Sequence, residues 1–140
     1  MNDIASEIYR AHQEIEAARA EVLDPMTPRQ HQVLCYFAGN EGASQTNAVD
    51  ATGIDRSTMA DIIRRLVDRG YLSRKRTRSD ARMYAVQATD KARRAIASVE
   101  RDLSNADART LSALSDAERA KLSILLAKVR RQRKDQREAA

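Results

Sequence analysis

The sequence is poor in the residues on which β-rich and disulfide-bonded proteins depend. Its 140 residues include no Trp, one Phe, four Tyr, four Gly, two Pro and one Cys. So few aromatic and turn-forming residues argue against a β-sandwich or a barrel, because those folds are built from many short strands and tight turns. The length suits a single domain. We therefore expect one mainly helical domain over residues 1–140.

Two further absences exclude other classes of protein. The lone Cys35 cannot form an internal disulfide, and no Cys or His residues have metal-ligand spacing, so we expect no metal and no cofactor.

No stretch approaches the roughly 20 consecutive apolar residues that span a bilayer. The first residues also lack a basic segment followed by an apolar one. We expect a cytoplasmic protein that does not bind membranes.

The charges that are present are unevenly distributed. Of the 25 basic residues 20 are Arg, and they outweigh 20 acidic residues to give a net charge of +5. Residues 1–23 carry a net charge of −3, whereas residues 54–82 carry +5. Guanidinium groups bind phosphate oxygens in pairs, and a compact basic block is typical of a surface that binds a polyanion. The alternative is a solvated basic face with no partner.

Apolar residues repeat every three or four positions at both ends of the chain, which predicts amphipathic helices. The first helix covers about residues 3–22, a long helix begins at Thr89, and a last helix begins at a capping box of Ser115 and Glu118. We expect the basic end of the last helix, residues 128–137, to fray. The stripes consist of Ile4, Ile8, Ala11, Ile15, Ala18 and Val22, then Ala92, Ile96, Val99, Leu103 and Ala106, then Leu122, Leu125, Leu126 and Val129.

The central residues predict a short helix, a second helix and a hairpin. The short helix is capped by Ser44, and the next helix is bounded by Asp55 and Gly70. Strands are predicted over residues 71–76 and 83–87, with a basic turn between them. This order predicts a winged helix-turn-helix within a mainly α (α+β) fold, in which the second helix enters the major groove of DNA. That helix has one apolar side, which we expect to face the core. It consists of Met59, Ile62, Ile63, Leu66 and Val67.

The same residues resemble the multiple antibiotic resistance regulator (MarR) family of transcription factors. Ile54–Thr58 resembles the opening of the family's recognition helix and Leu66–Leu72 its close, while Asp80 and Arg82 match the Asp-x-Arg motif of the wing. The likeness extends over about residues 27–130. The resemblance implies a homodimer whose terminal helices intertwine and which regulates transcription.

The apolar stripes at both ends favour the same assembly, because a small winged unit offers them few partners within one chain. We expect residues 27–88 to form the DNA-binding region, and residues 1–24 and 89–137 to form dimerisation helices. A two-fold dimer places two recognition helices about 34 Å apart, so the expected partner is double-stranded DNA with a pseudo-palindromic operator. The alternative is a monomeric three-helix bundle stacked on the winged unit.

The predicted recognition helix carries the side chains that we expect to read DNA. An Arg there can bind guanine O6 and N7, and Asp61 can accept a hydrogen bond from a cytosine amine. Asp61 could instead pair with Arg64 or Arg65 within the helix. Ser57 and Thr58 could instead act mainly as caps. The candidates for the groove are Arg56, Ser57, Thr58, Asp61, Arg64 and Arg65.

Flanking elements supply further predicted DNA contacts. Gln45 and Thr46, in the first turn of the preceding helix, can donate to a phosphate together with free backbone N–H groups. In the hairpin, Arg82 is the candidate for the minor groove, where negative potential attracts guanidinium groups, and Arg78 is a second contact at the tip. The resemblance implies that Asp80 orients an Arg, and its position two residues before Arg82 fits that role.

The sequence shows no catalytic apparatus. His12 lies on the first predicted helix, and His31 lies on the next, which is predicted to begin at a Thr27 cap with Pro28 in its first turn. No nucleophile pattern and no Gly-rich phosphate loop lies nearby, so we expect no enzymatic activity. The resemblance implies instead that a small effector, often an aromatic or phenolic acid or its coenzyme A thioester, binds between the dimer helices and the winged unit. The candidate effector-binding residues are Tyr9, His12, His31 and Tyr36, and ordinary packing is the alternative for each.

Cys35 introduces one more alternative, because some members of the family sense oxidants through a Cys near the first helix. Here the residue lies in an apolar run from Val33 to Phe37, and apolar surroundings raise a thiol pKa and reduce its reactivity. We therefore expect Cys35 to be unreactive.

Together these features predict a homodimeric, sequence-specific transcriptional regulator, a repressor that a small effector releases from its operator. An effector-independent architectural DNA-binding protein is the alternative from another class. A third is a winged domain that binds proteins and never DNA.

Overall fold

The computed structural model describes residues 3–76 and 84–140, which form six helices and one two-stranded sheet. The mainly helical winged helix-turn-helix predicted from the sequence is confirmed, and the use of the terminal helices for dimerisation stays a prediction. The elements are α1 (Ile4–Leu23), α2 (Pro28–Gly39), α3 (Gln45–Thr52), α4 (Arg56–Asp68), β1 (Leu72–Arg76), β2 (Tyr84–Ala88), α5 (Asp90–Thr110) and α6 (Asp116–Glu138).

Each helix begins where a short polar side chain accepts a hydrogen bond from a backbone N–H of the first turn. Such a cap satisfies one of the donors that have no acceptor inside the helix. In α2, α3 and α6 the third helical residue also accepts from the cap's own N–H, which completes a capping box. The caps are Asp3, Thr27, Ser44, Asp55, Thr89 and Ser115.

The sheet is attached to the helices on both sides. Its strands are antiparallel, and Ser44, just before α3, forms an isolated bridge with Ala85 of β2. At the other end of the sheet the Thr89 hydroxyl donates to the carbonyl of Gly70, at 2.7 Å, and its N–H donates to the carbonyl of Tyr71, at 3.0 Å. Gly70 lies at φ 78°, where an L side chain is strained, so this turn favours glycine. The start of the wing is therefore fixed relative to α3, α4 and α5.

The core forms where α2, α3, α4, the sheet and the start of α5 meet. Phe37 of α2 and Met59, Ile63 and Leu66 of α4 are fully buried, and Val86 of β2 closes the cluster. The apolar side of α4 predicted from the sequence is thus the buried side. Its opposite side faces solvent.

The terminal helices are covered unequally. The C-terminal half of α1 packs on α5, where the Arg19 Nε donates to Asp107 Oδ1 at 2.8 Å, but Ile4 in its first turn is 80% exposed. Along the whole of α6, all of which is described, no residue is buried. The predicted fraying of residues 128–137 is wrong, because α6 stays helical to Glu138. Arg, Lys and Gln favour helix, and Lys134 pairs with Glu138 at 3.7 Å.

No helix in the described parts of the chain is both long enough and apolar enough to cross a membrane.

Truncating the central side chain of the core tests this packing. Phe37→Ala removes a fully buried ring and leaves a cavity, so we expect the free energy of unfolding to fall by about 3–5 kcal/mol. Urea unfolding followed by circular dichroism, at one fixed protein concentration, measures the change. Arg101→Ala, at an exposed position of α5, serves as the control and should change stability by about 0.5 kcal/mol or less. Equal effects of the two substitutions would contradict this core.

Candidate nucleic-acid interface

One carboxylate organises the first turn of α4. Asp55 accepts hydrogen bonds from the backbone N–H of Thr58, at 2.9 Å, from the Thr58 hydroxyl, at 2.6 Å, and from the Ser57 hydroxyl, at 2.8 Å. These bonds, the Thr58 hydroxyl first among them, lower the pKa of Asp55 from 3.8 to about 2. Ser57 and Thr58 thus have the local capping role that the sequence left open. Their contacts with DNA stay predictions.

Farther along α4, Asp61 holds two arginines. Its Oδ1 accepts from Arg64 Nη2 at 2.7 Å, and its Oδ2 accepts from Arg65 Nε at 2.8 Å. The hydrogen bonds from Arg64 and then Arg65 lower the pKa of Asp61. Asp68 lies 3.8 Å from Arg64 Nη1 and extends the network. The intrahelical pairing left open for Asp61 is therefore present. To contact DNA, Arg64 or Arg65 has either to keep its hydrogen bond to Asp61 or to break it.

Two helix starts carry further residues of the predicted interface. Arg56 is exposed in the first turn of α4, and in the first turn of α3 Thr46 is exposed and Gln45 is half-buried. Backbone N–H groups at such positions have no acceptor within their helix. These two turns can therefore donate to phosphate oxygens, as predicted for Gln45 and Thr46.

The basic side chains continue onto the sheet. Arg74, Lys75 and Arg76 are exposed on β1, and the Arg76 guanidinium lies 5.8 Å from the centroid of the Tyr84 ring on β2. Aromatic stacking of this kind orients a guanidinium without neutralising it. The predicted wing residues Arg78, Asp80 and Arg82 lie outside the residues that the structure describes, so their roles stay predictions.

A groove of about 580 Å³ runs between the start of α2 and the C-terminal half of α4. It adds Arg69, which was not among the predicted site residues, to the basic surface. The Arg69 carbonyl accepts from Lys91 Nζ of α5 at 2.6 Å, which places a further cation at this end of α4. The spacing of Arg65 and Arg69, four residues apart on a helix, is the sequence signal that could have identified it. The groove is lined by Pro25, Thr27, Gln30, Arg64, Arg65, Asp68 and Arg69.

The four candidate effector residues lie on two neighbouring helices. On α1, Tyr9 is exposed and His12 Nε2 lies 3.5 Å from Glu16 Oε2. On α2, His31 is half-buried, and Tyr36 is half-buried against the core. These contacts agree with the packing alternative for Tyr36, and effector binding by the four residues stays a prediction.

Cys35 lies where α1, α2 and α5 meet. Its Sγ is 3.5 Å from His31 Nε2. Burial raises the pKa of the Cys35 thiol, opposed by the nearby Arg19, whereas burial and Arg19 both lower the pKa of His31. The pair is thus a neutral thiol beside a neutral imidazole, which supports the expectation of an unreactive Cys35. Among the described residues no cluster of three or more His, Cys, Asp or Glu could hold a metal ion.

Comparison with known proteins shows which family this part of the chain resembles. A family model described as "MarR family" matches residues 24–83, which cover α2, α3, α4 and β1. A protein of Thauera aromatica described as a putative transcriptional regulatory protein for the hcr operon is 32% identical over 107 residues. The chain is therefore similar to members of the MarR family over these residues. The matched residues make up 76% of this chain and 64% of the Thauera protein, so the chain spans just under two thirds of that relative's length.

Solved structures of similar proteins have the same fold as this chain. BpsR of Bordetella bronchiseptica, whose DNA binding is regulated by 6-hydroxynicotinic acid, is 26% identical with a TM-score of 0.86, over 91% of this chain and 93% of BpsR. The transcriptional repressor CouR, bound to a 23-mer DNA duplex, is 26% identical with a TM-score of 0.84, over 91% and 92% of the two chains. MarR-family members are transcriptional regulators and not enzymes, which agrees with the prediction of no enzymatic activity.

Replacing Asp55 with Asn tests the capping carboxylate through pH. Because the folded pKa of about 2 lies below 3.8, the ionised carboxylate stabilises the folded chain above about pH 4, and this contribution is lost as the pH falls toward 2. We expect Asp55→Asn to melt below the parent protein at pH 7, with the difference shrinking under acid. Thermal unfolding by circular dichroism measures it. Asp50→Asn on α3 controls for the loss of one exposed charge, and the same pH dependence in both variants would contradict the assignment.

The surroundings of Cys35 predict slow alkylation. Because burial raises the thiol pKa, little thiolate is present near neutral pH, and we expect iodoacetamide to modify native Cys35 more slowly than Cys35 in the urea-unfolded chain. Intact-protein mass spectrometry over time gives both rates. An equal or faster rate in the native protein, or a loss of DNA binding on peroxide treatment that Cys35→Ser prevents, would restore the oxidant-sensing alternative.

Proposed function

We propose that this chain is a homodimeric, sequence-specific DNA-binding transcriptional regulator that acts in the cytoplasm as a repressor. The observation that carries the proposal is the exposed side of α4, where hydroxyl, carboxylate and guanidinium groups project from a helix whose other side is fixed in the core. A rigid helix with that surface can enter the major groove and present Arg56, Arg64 and Arg65 to bases and phosphates. CouR, similar over nine tenths of both chains, is a repressor bound to a DNA duplex, which supports the same role here.

The proposed dimer follows from apolar side chains that one protomer leaves uncovered. On one side of α6, Leu122 is 39%, Leu126 is 37% and Val129 is 63% exposed, and on α1 Ile4 and Ile8 are exposed. Exposed apolar patches of this kind mark surfaces that associate, and a closed two-fold dimer covers the same patch on both copies. A dimer presents two α4 helices at once, so the proposed operator is an inverted repeat.

The proposed repressor is released by a small aromatic acid. The predicted site comprises Tyr9, His12, His31 and Tyr36, on the helices that join the proposed dimer surface to the winged unit. Regulation of BpsR by 6-hydroxynicotinic acid, itself a small aromatic acid, supports this class of effector. Thermal-shift screening of phenolic acids and their coenzyme A thioesters identifies a ligand, because a ligand that binds only the folded state raises its stability with concentration.

Selection of binding sites from a pool of random duplexes, followed by gel-shift titration, tests DNA recognition. We expect an inverted-repeat site whose affinity falls about a thousandfold or more between about 50 and 200 mM salt, since phosphate contacts release counterions. Arg64→Ala and Arg82→Ala should each weaken binding to that site about tenfold or more, whereas Arg101→Ala on α5 should leave it unchanged. Equal binding to every duplex would favour the architectural alternative. Binding to none would overturn the proposal.

A further inference from the structure

The C-terminal part of α6 is densely basic. Residues 128–137, which we call the basic end of α6, hold six cations and one acid, a net charge of +5. The thirteen residues of α4 carry a net charge of only +1. Every side chain of the basic end is exposed, and the segment is helical throughout. Its cations, held at fixed spacings on a helix, are Lys128, Arg130, Arg131, Arg133, Lys134 and Arg137.

Four of these cations share one side of the helix. At 100° per residue, Arg130, Arg133, Lys134 and Arg137 lie within about 100° around the axis, over two turns or about 10 Å. Like charges three or four residues apart repel and destabilise a helix. Among the residues that the structure describes, Lys134 pairs with Glu138 at 3.7 Å, and no ion pair neutralises the three arginines of this side. A polyanion along this side would relieve their repulsion.

The alternative is a set of cations that only stabilises the end of the helix. The backbone carbonyls at a helix C-terminus carry partial negative charge and favour cations, but this effect is confined to about the last turn. Of the six cations, Arg137 alone lies in the last turn of α6. Stabilisation of the helix end therefore does not account for the other five.

The composition of the basic end favours nucleic acid over an anionic membrane. Four of its six cations are Arg, whose planar guanidinium binds phosphate oxygens in pairs. A basic helix that lies on a membrane needs apolar or aromatic side chains along the same segment to enter the lipid. Residues 128–137 contain one apolar residue, Val129, and α6 contains no aromatic residue. The basic end therefore suits a phosphate backbone, which requires charge and no apolar contact.

We propose that the basic end of α6 is a second DNA-binding surface, which binds the phosphate backbone of duplex DNA without reading its sequence. This goes beyond the proposed function, which assigns DNA to α4, the start of α3 and the hairpin. About six phosphates lie along 10 Å of a duplex, enough for each of the four cations on one side of α6. Phosphate contacts carry no sequence information, so this surface increases affinity for every duplex alike.

Neutralising the arginines tests the surface on the full-length chain. The variant carries Arg130→Gln, Arg133→Gln and Arg137→Gln together, and Gln favours helix as Arg does. For a duplex of random sequence, followed by fluorescence anisotropy, we expect the dissociation constant to rise about tenfold or more. The slope of log K against log salt should fall in magnitude by about 2–3, since three phosphate contacts are lost. Replacing the same three arginines with Lys should keep most of the slope, because the charges remain.

The matched control removes the same charge from α5. Arg94, Arg101 and Arg109 are exposed and lie seven or eight residues apart, so they form no dense cluster. Replacing all three with Gln should change the dissociation constant by no more than about twofold, because salt screens charges that are far from the duplex. An equal loss of affinity in this control would show that net charge alone is responsible, and would overturn the inference. Circular dichroism verifies that both variants keep the parent's helix content.

The other outcomes separate this inference from the proposed function. If the α6 variant binds random duplexes as the parent does, the inference is overturned while DNA binding by α4 stands. If its substitutions weaken only binding to vesicles of anionic phospholipid, the partner is a membrane and the inference is likewise overturned. A parent chain that binds every duplex equally, and loses that binding with the three α6 arginines, supports the inference and overturns sequence-specific regulation. A parent chain that binds no duplex overturns both.

Discussion

The structure depends on the burial of one side of α4. Met59, Ile63 and Leu66 are fully buried against α2 and the sheet, and burial of each such side chain stabilises the fold by about 1.5–3 kcal/mol. A turn of the helix by one residue about its axis would move these side chains toward solvent and carry charged ones such as Arg64 inward, where an unpaired charge is costly. The core therefore determines which groups α4 offers to a ligand. The outer side can therefore change without loss of the fold.

The outer side of α4 is already ordered before any ligand is present. Asp55 accepts from Ser57 and Thr58 in the first turn, and Asp61 holds Arg64 and Arg65 one to two turns later. Both carboxylates have lowered pKa values, so they stay ionised at neutral pH. Ordered side chains lose less conformational entropy on binding than free ones. The two acids also reduce the net positive charge of the helix, which, in the proposed DNA-binding regulator, limits attachment to DNA of arbitrary sequence and leaves selectivity to the geometry of the arginines.

The order of helices and strands could be predicted from the sequence because each signal was local. Apolar spacing located the buried side of α4, and Thr27, Ser44, Asp55, Thr89 and Ser115 were recognised as caps. The same local signals failed where distant residues meet. The Arg19–Asp107 pair joins positions 88 residues apart, and the bridge between Ser44 and Ala85 joins positions 41 residues apart, so neither has a periodic pattern. The role of Asp61 could not be predicted for a different reason. Its position on α4 suits either a hydrogen bond to a base or an ion pair with an Arg, and in the absence of DNA the structure shows the ion pair.

Thr89 belongs to the hairpin and to α5 at once. Its hydroxyl and its N–H bind the carbonyls of Gly70 and Tyr71 at the base of the strands, while its side chain also caps the first turn of α5. Farther along α5, Asp107 is tied to α1. Thr89 consequently couples the orientation of α5 to that of the hairpin. In the proposed dimer, a displacement of the far end of α5 would carry the strands and the neighbouring end of α4 with it, and would change the distance between the two winged units without any rearrangement inside either of them.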